Sequence, residues 1–419
     1  MSEQGERRIT RRLRTFYVFR LLATSYLYGA IFMMFQASRG LSFFESLALG
    51  GVFSAVVVLV EVPTGVFADQ VGRRRSMLAG SLAMVVSCLV AVQAHSFATF
   101  AIAEALAALS IALCSGADSA YLYDFLRAHG REHEYGEREA TASAAHLLGS
   151  ALAFAGGGLL ASVDLTLPYY VTAGVAALTA VIAGFLADDR PMLAARAVHR
   201  RTLRSWGGEV TSALADVGKS SRLLWLVGYS AVVFVLLRAT IYLYQPYLEE
   251  RGLGTVGKGL MFAGVSVVAA FAAYRTYALR RRVGDEMLQW TLLAALAISF
   301  VGLAGVGSGP WMLALLVVQA VANGMYSPLT KPLLNREIVD SGRRAAILSV
   351  ESMVRRAAMG LFAMLAGIFG SNDVMLLCGG VGLAGLVLLA IARVRVGMRE
   401  VRPDARVAIS IHTDGTGGT

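Results

Sequence analysis

Along the 419-residue chain, apolar runs of roughly 20 residues alternate with short polar segments, and each run can cross about 30 Å of hydrocarbon as a helix. Twelve such runs can be placed, near residues 15–37, 44–68, 76–94, 97–125, 140–163, 168–187, 223–248, 257–278, 287–306, 310–334, 345–369 and 374–394. The longest polar interruption, residues 188–222, divides them into six and six; it carries Pro191 and Trp206 and reads as a partly helical surface linker. The expected organisation is therefore a segment over 1–14, a six-helix bundle over 15–188, a linker over 189–222, a second bundle over 223–396 and a disordered tail over 397–419.

Basic residues settle the expected orientation. Thirty-one of the 38 Lys and Arg fall on one side of the twelve runs, whereas the other side holds Arg39, Arg251 and Lys258. Cytoplasmic loops carry such an excess, which predicts both termini in the cytoplasm. The same confinement to short loops accounts for the net charge of +10 and argues against a nucleic-acid partner. At 56% hydrophobic and 16% charged residues, with a mean hydropathy of +0.62, the composition is not that of a soluble globular protein. Cys88, Cys114 and Cys378 lie within apolar runs at no metal-type spacing, and the first run has no small-residue cleavage site, so it reads as a span and not a cleaved signal.

The segment from Glu61 to Arg75 joins the second and third runs as a short basic hinge in which Gly72 permits a tight turn. Gly65-x-x-x-Asp69-x-x-Gly72-Arg73-Arg74 resembles the loop signature between the second and third helices of the major facilitator superfamily (MFS) of secondary transporters. The resemblance covers residues 15–396 and implies an all-α membrane protein with the MFS fold: twelve transmembrane helices in two pseudo-symmetric six-helix bundles. It also implies that Asp69 belongs to a latch on the cytoplasmic side, which in the family binds the start of the eleventh span when the transporter faces outward; here that start is near Arg344. Asp124 and Arg138, flanking the next basic loop, are candidates for the same gating network.

The halves echo each other: Arg73-Arg74-Arg75 recurs as Arg280-Arg281-Arg282, Gly116-x-x-Ser119 as Gly324-x-x-Ser327, and Arg138 with Ser143 as Arg344 with Ser349, at offsets of 206 to 208. At the first of these offsets Asp69 and Gly72 fall on Thr276 and Leu279, which predicts that the second copy has lost the hinge chemistry.

Ionisable residues within spans are costly and ordinarily face a cavity or a partner. Glu61 reads equally as a gating or proton-exchange group and as a buried carboxylate paired with Arg20. Glu104 and Arg238 are candidates for substrate contact or proton coupling, with a neutralising pair between the halves as the plainer alternative. Glu351 and Arg355, four residues apart, form an expected ion pair. The matching Thr-x-Tyr-x-Tyr patterns give Tyr26, Tyr28, Tyr242 and Tyr244; their rings could stack on a cationic substrate, but an interfacial belt is the favoured expectation. Gln319 and Asn323 lie on the tenth span, which the resemblance places at the cavity with spans 1, 4 and 7.

Other signals are weaker. His129-Gly-Arg-Glu132-His133 has the order of an inverted zinc motif, but it lies in a short charged loop without a third ligand, so no metal is expected. No phosphate-binding loop or nucleophile constellation stands out, and neither an enzyme nor a bound cofactor is expected. The expected function is alternating-access transport of a small molecule across the bacterial cytoplasmic membrane by a monomer, with a proton gradient as energy source. Export of a hydrophobic or cationic compound by antiport is the leading reading, beside uptake of a metabolite by symport or uniport and a non-transporting sensor or scaffold. Against antiport, the stretch Ser110 to Gly116 lacks the arginine, and Gly149 to Gly157 the glycine–proline pair, that family antiporters commonly carry.

Overall fold

A computed structural model describes residues 3–187, 203–305, 309–338, 344–369 and 371–396. Residues 188–202, which take in the first part of the expected linker over 189–222, and the tail over 397–419 lie outside the described residues. No strand occurs among the described residues, which form helices α1 (Glu3–Leu22), α2 (Phe32–Ser38), α3 (Phe43–Val71), α4 (Arg73–Val92), α5 (Phe97–Cys114), α6 (Ala117–Ala128), α7 (Tyr135–Ala161) and α8 (Leu167–Phe185) in the first half. After an amphipathic α9 (Leu203–Lys219) come α10 (Ser221–Glu249), α11 (Thr255–Val283), α12 (Asp285–Gly305), α13 (Pro310–Glu337), α14 (Arg344–Ala366) and α15 (Ser371–Val396).

Ten helical segments among the described residues are long and apolar enough to cross a membrane, or eleven if the bent first span counts as one. Helix α14 is not among them, because Glu351, Arg355 and Arg356 interrupt its apolar sequence. Large apolar side chains such as Leu59, Phe185, Tyr274, Trp311 and Val394 point outward around the bundle, as a lipid-facing surface requires.

Local chemistry defines where the helices begin and end. Ser42 and Glu45 form a reciprocal capping box at the start of α3, and Ser96 with Thr99 does the same for α5. Gly72, at φ 109°, turns the chain from α3 into α4, and Gly284, at φ 91°, turns it from α11 into α12; only glycine adopts this backbone cheaply.

The two halves share one packing scheme. Helix α4 packs on α8 as α12 does on α15; α3 packs on α5 as α11 does on α13; and α1 packs on α7 as α10 does on α14. The halves meet where α3 lies along α14 and where α7 crosses α11. At the second crossing a Cβ on Gly158 would come within 2.6 Å of the Thr255 carbonyl oxygen, so the absence of a side chain is what lets these backbones touch. We refer below to the end of the bundle that carries the basic hinges as the basic face, and to the other end as the opposite face.

Candidate functional site

The first span is broken. Helix α1 stops at Leu22 and α2 begins at Phe32, with a single 3₁₀ turn at Leu27–Ala30 between them. Backbone groups freed by such a break must find partners inside the protein. Leu27 N–H donates to Thr172 Oγ1 at 3.0 Å, and two further groups are met from the other half. The Met33 N–H donates to Gln245 Oε1 at 2.9 Å, while Gln245 Nε2 donates to the Gly29 carbonyl at 3.3 Å. Gln245 is wholly buried. Near it Lys258, also fully buried, reaches Glu249 at 3.1 Å and the Met34 sulfur at 2.9 Å, and Phe32 meets Tyr242 edge-on at 5.4 Å. Together these contacts tie the halves at the opposite face. An amide within an apolar run is the sequence signal that marks Gln245.

Helix α10 presents Ser230, Phe234, Arg238, Tyr242 and Gln245 at near four-residue intervals, hence along one face. Ser230 donates to Glu351 and shares a 2.7 Å hydrogen bond with Tyr326. The Arg355 guanidinium lies over the Phe234 ring at 4.9 Å and 3.8 Å from Glu351, so the expected pair on α14 is present. Arg356 lies 4.0 Å from Glu61, and Ser352 donates to the same carboxylate at 3.3 Å. Glu61 is therefore tied to the other half and not to Arg20. Arg20 instead pairs with Asp118 and lies 3.8 Å from Glu139, because α1 packs against α7 with α6 close by and not against the inner end of α3.

Glu104 and Arg238 differ from these groups. Neither makes a hydrogen bond or an ion pair among the described residues, and no pair joins them to each other, so the neutralising pair that the sequence left open does not form. Glu104 lies within electrostatic range of Cys88, Tyr28, Tyr169 and, from the other half, Tyr242. Arg238 lies within range of Tyr242, Arg355 and Arg356. Tyr242 is felt by both.

The tyrosines do not form an interfacial belt. The break in the first span turns Tyr26 and Tyr28 inward, where Tyr28 stacks on Tyr169 at 4.7 Å and Tyr26 tilts against Tyr28 at 6.1 Å. Tyr244 is buried and donates to Gln319 Oε1 at 2.7 Å. Gln319 is consequently buried within the second half as a packing contact between α10 and α13, whereas Asn323 is exposed and its side chain makes no hydrogen bond among the described residues.

At the basic face Asp69 lies 3.4 Å from Arg73, and Arg73 lies 2.9 Å from Asp124. Arg74 donates to the Gly184 carbonyl at 2.5 Å. Arg138 turns to Glu134 at 2.8 Å, and the Gly65 Cα faces open space. The start of α14 near Arg344, the expected latch partner, makes no hydrogen bond or ion pair with Asp69 among the described residues.

The second half retains the hinge with its charges exchanged. Arg280 lies 2.6 Å from Asp285, which lies 3.9 Å from Arg336. Gly284, Asp285 and Arg336 stand 212 residues after Gly72, Arg73 and Asp124, so an acid–base–acid chain is answered by a base–acid–base chain. The expectation of a lost hinge came from aligning the arginine runs. The turning glycines are the true register, and they are five residues out of step with those runs.

Comparison with known proteins gives the fold a family. A family model described as Major Facilitator Superfamily matches residues 15–338. No curated protein matches the sequence. Among solved structures, the crystal structure of the nucleoside transporter NupG superposes with a TM-score of 0.73 at 13% identity, covering 92% of this chain and 98% of that one. A POT family transporter in complex with a thioalcohol-conjugated peptide gives 0.73 at 12% identity over 93% and 97%, and a peptide transporter POT in complex with sulfate gives 0.70 at 15% over 92% and 94%.

Proposed function

The chain belongs to the Major Facilitator Superfamily, whose members are transporters and not enzymes, and from that premise we propose proton-coupled alternating access with Glu104 as the coupling carboxylate. In this reading the protein exports a small compound bearing a protonated amine. The observation that carries it is Glu104 itself: an acid within a span, with no hydrogen bond or ion pair among the described residues, and within electrostatic range of Tyr28, Tyr169 and, from the other half, Tyr242. A carboxyl group so placed can hold a proton or a cation but not both, which is the exchange that antiport requires. The rings of Tyr28 and Tyr169 add a π-face to a cation held there.

The basic face is taken as cytoplasmic, from the surplus of Lys and Arg in its loops. With the halves tied at the opposite face through Gln245 and Lys258, the conformation is then inward-facing. Rocking about the α3–α14 and α7–α11 contacts would break those ties and bring the two charge-exchanged hinges together.

Inside-out vesicles energised by respiration, with a pH-quenched dye, test the proposal. Lipophilic amines should dissipate the proton gradient with the native protein and fail to do so with Glu104→Gln at equal expression. Dissipation that survives in Glu104→Gln would remove this residue from the coupling. The second reading is uptake by symport, favoured by the missing antiporter residues in Ser110 to Gly116 and Gly149 to Gly157. Accumulation of a solute by intact energised cells, with no response in the vesicles, would decide for it.

A further inference from the structure

The junction of the halves carries two ionisable groups of opposite sign, Glu104 and Arg238, both within electrostatic range of Tyr242. Glu104, on α5, stands seven residues from the helix start at the opposite face, and Tyr242, on α10, stands seven residues from the helix end at that same face. Both are therefore about 10 Å deep, whereas Arg238, one turn further along α10, is about 16 Å deep. Arg238 sits on the face of α10 between Phe234, which holds Arg355, and Tyr242, which meets Phe32 of the first half. Nearby, Glu351 and Glu61 answer Arg355 and Arg356 one for one, which leaves the Arg238 guanidinium in surplus. On the other half Glu104 is in surplus, within electrostatic range of Tyr28, Tyr169 and Tyr242. Two unanswered charges within the span are costly unless a ligand answers them.

We infer that the solute is amphoteric: its protonated amine lies at Glu104 against the tyrosine rings, and its carboxylate or other oxyacid group lies at Arg238. This rests on the transport reading above and narrows its substrate class. The depth difference of about 6 Å, one helical turn, calls for an amine and an acid separated by several bonds. A guanidinium matches such an acid by paired hydrogen bonds, and Arg355 and Arg356 deepen the positive field around it. A solely cationic compound would leave Arg238 unanswered, and a solely anionic one would leave Glu104 so.

Ligand-induced shifts in melting temperature of the purified full-length protein test this with matched triads. Each triad holds an amino acid or aminophosphonate with a spaced amine, its ester (cation only) and its N-acetyl form (anion only). The expected result is a zwitterion that acts at a concentration at least tenfold below either relative. Arg238→Gln should bring the zwitterion down to the level of the ester and leave the ester unchanged, while Arg238→Lys keeps the preference. Glu104→Gln should weaken zwitterion and ester alike and spare the N-acetyl form. This crossed pattern separates ligand contact from damage to the fold, which would weaken all three. The inference is overturned if the ester equals the zwitterion on the native protein, if both variants weaken every compound equally, or if no triad shifts the melt. A native protein that prefers zwitterions yet moves no protons would instead overturn the coupling and leave the binding site standing.

Discussion

Gly157 shows how much one missing side chain decides. A Cβ there would lie 1.9 Å from the Leu27 carbonyl oxygen, at the point where α7 supports the break in the first span. Gly157→Ala should cost about 1–3 kcal/mol through overpacking against backbone that cannot yield. Gly174→Ala, on α8 with nothing within 4 Å, should be neutral or stabilising by up to about 1 kcal/mol from helix propensity. Melting of the two variants in one detergent checks the contrast, and equal shifts would refute it. The Arg73–Asp124 pair makes a second case: both side chains are close to nine-tenths buried at 2.9 Å. Asp124→Ala should destabilise by about 1.5–3 kcal/mol, because it removes the nearer of two carboxylates from a buried guanidinium and leaves it Asp69 at 3.4 Å. Asp124→Asn, which keeps an acceptor, should cost less.

At the scale of the element, the broken first span is a helix whose missing bonds are supplied by the opposite half. Gln245 answers both Met33 N–H and Gly29 C=O. Two such hydrogen bonds are worth about 1–3 kcal/mol net. Gln245→Leu should therefore move the balance toward an open opposite face by about 5- to 150-fold, at about 1.4 kcal/mol per factor of ten. A single cysteine replacing Met33, which is buried in this seal, reports it once Cys88, Cys114 and Cys378 have been replaced. An impermeant thiol reagent should label that cysteine faster in the Gln245→Leu background. An unchanged rate would mean that Gln245 fills space without holding the seal. The bonds themselves were out of reach of a linear reading: the span-length run over 15–37 gives no sign that the chain leaves the α-helix between Leu22 and Phe32, since the partners come from α8 and α10.

The whole molecule is two bundles with one packing scheme and exchanged hinge charges. Arg73 and Asp285 occupy the same place in their halves, each directly after a turning glycine and each bonded to the end of a neighbouring helix. If both hinges serve the rocking motion, Arg73→Gln and Asp285→Asn should lower transport by similar factors, about tenfold, the effect of roughly 1.4 kcal/mol. Transport in proteoliposomes at matched protein density is the measurement. A silent Asp285→Asn beside a defective Arg73→Gln would restore the asymmetric gate that the sequence suggested.

Hydrophobic periodicity, span-length runs and the Asp69–Arg74 motif carried the helical class, the likeness of the halves and the family, because each is a local property of the chain that survives without coordinates. The Glu351–Arg355 pair was legible for the same reason, since four residues along a helix bring side chains together. Partners distant in the chain were not legible. Arg20 was offered Glu61 and found Asp118; the tyrosines were offered the interface and turned inward; the second hinge was sought at Leu279 and stands at Gly284. Which charges cancel and which remain depends on the rotation of each helix about its axis. That rotation comes from close packing at glycines such as Gly157 and Gly158 and from the break in the first span. Tertiary structure alone decided that Glu104 and Arg238, one on each half, make no hydrogen bond or ion pair among the described residues and that Tyr242 lies within electrostatic range of both.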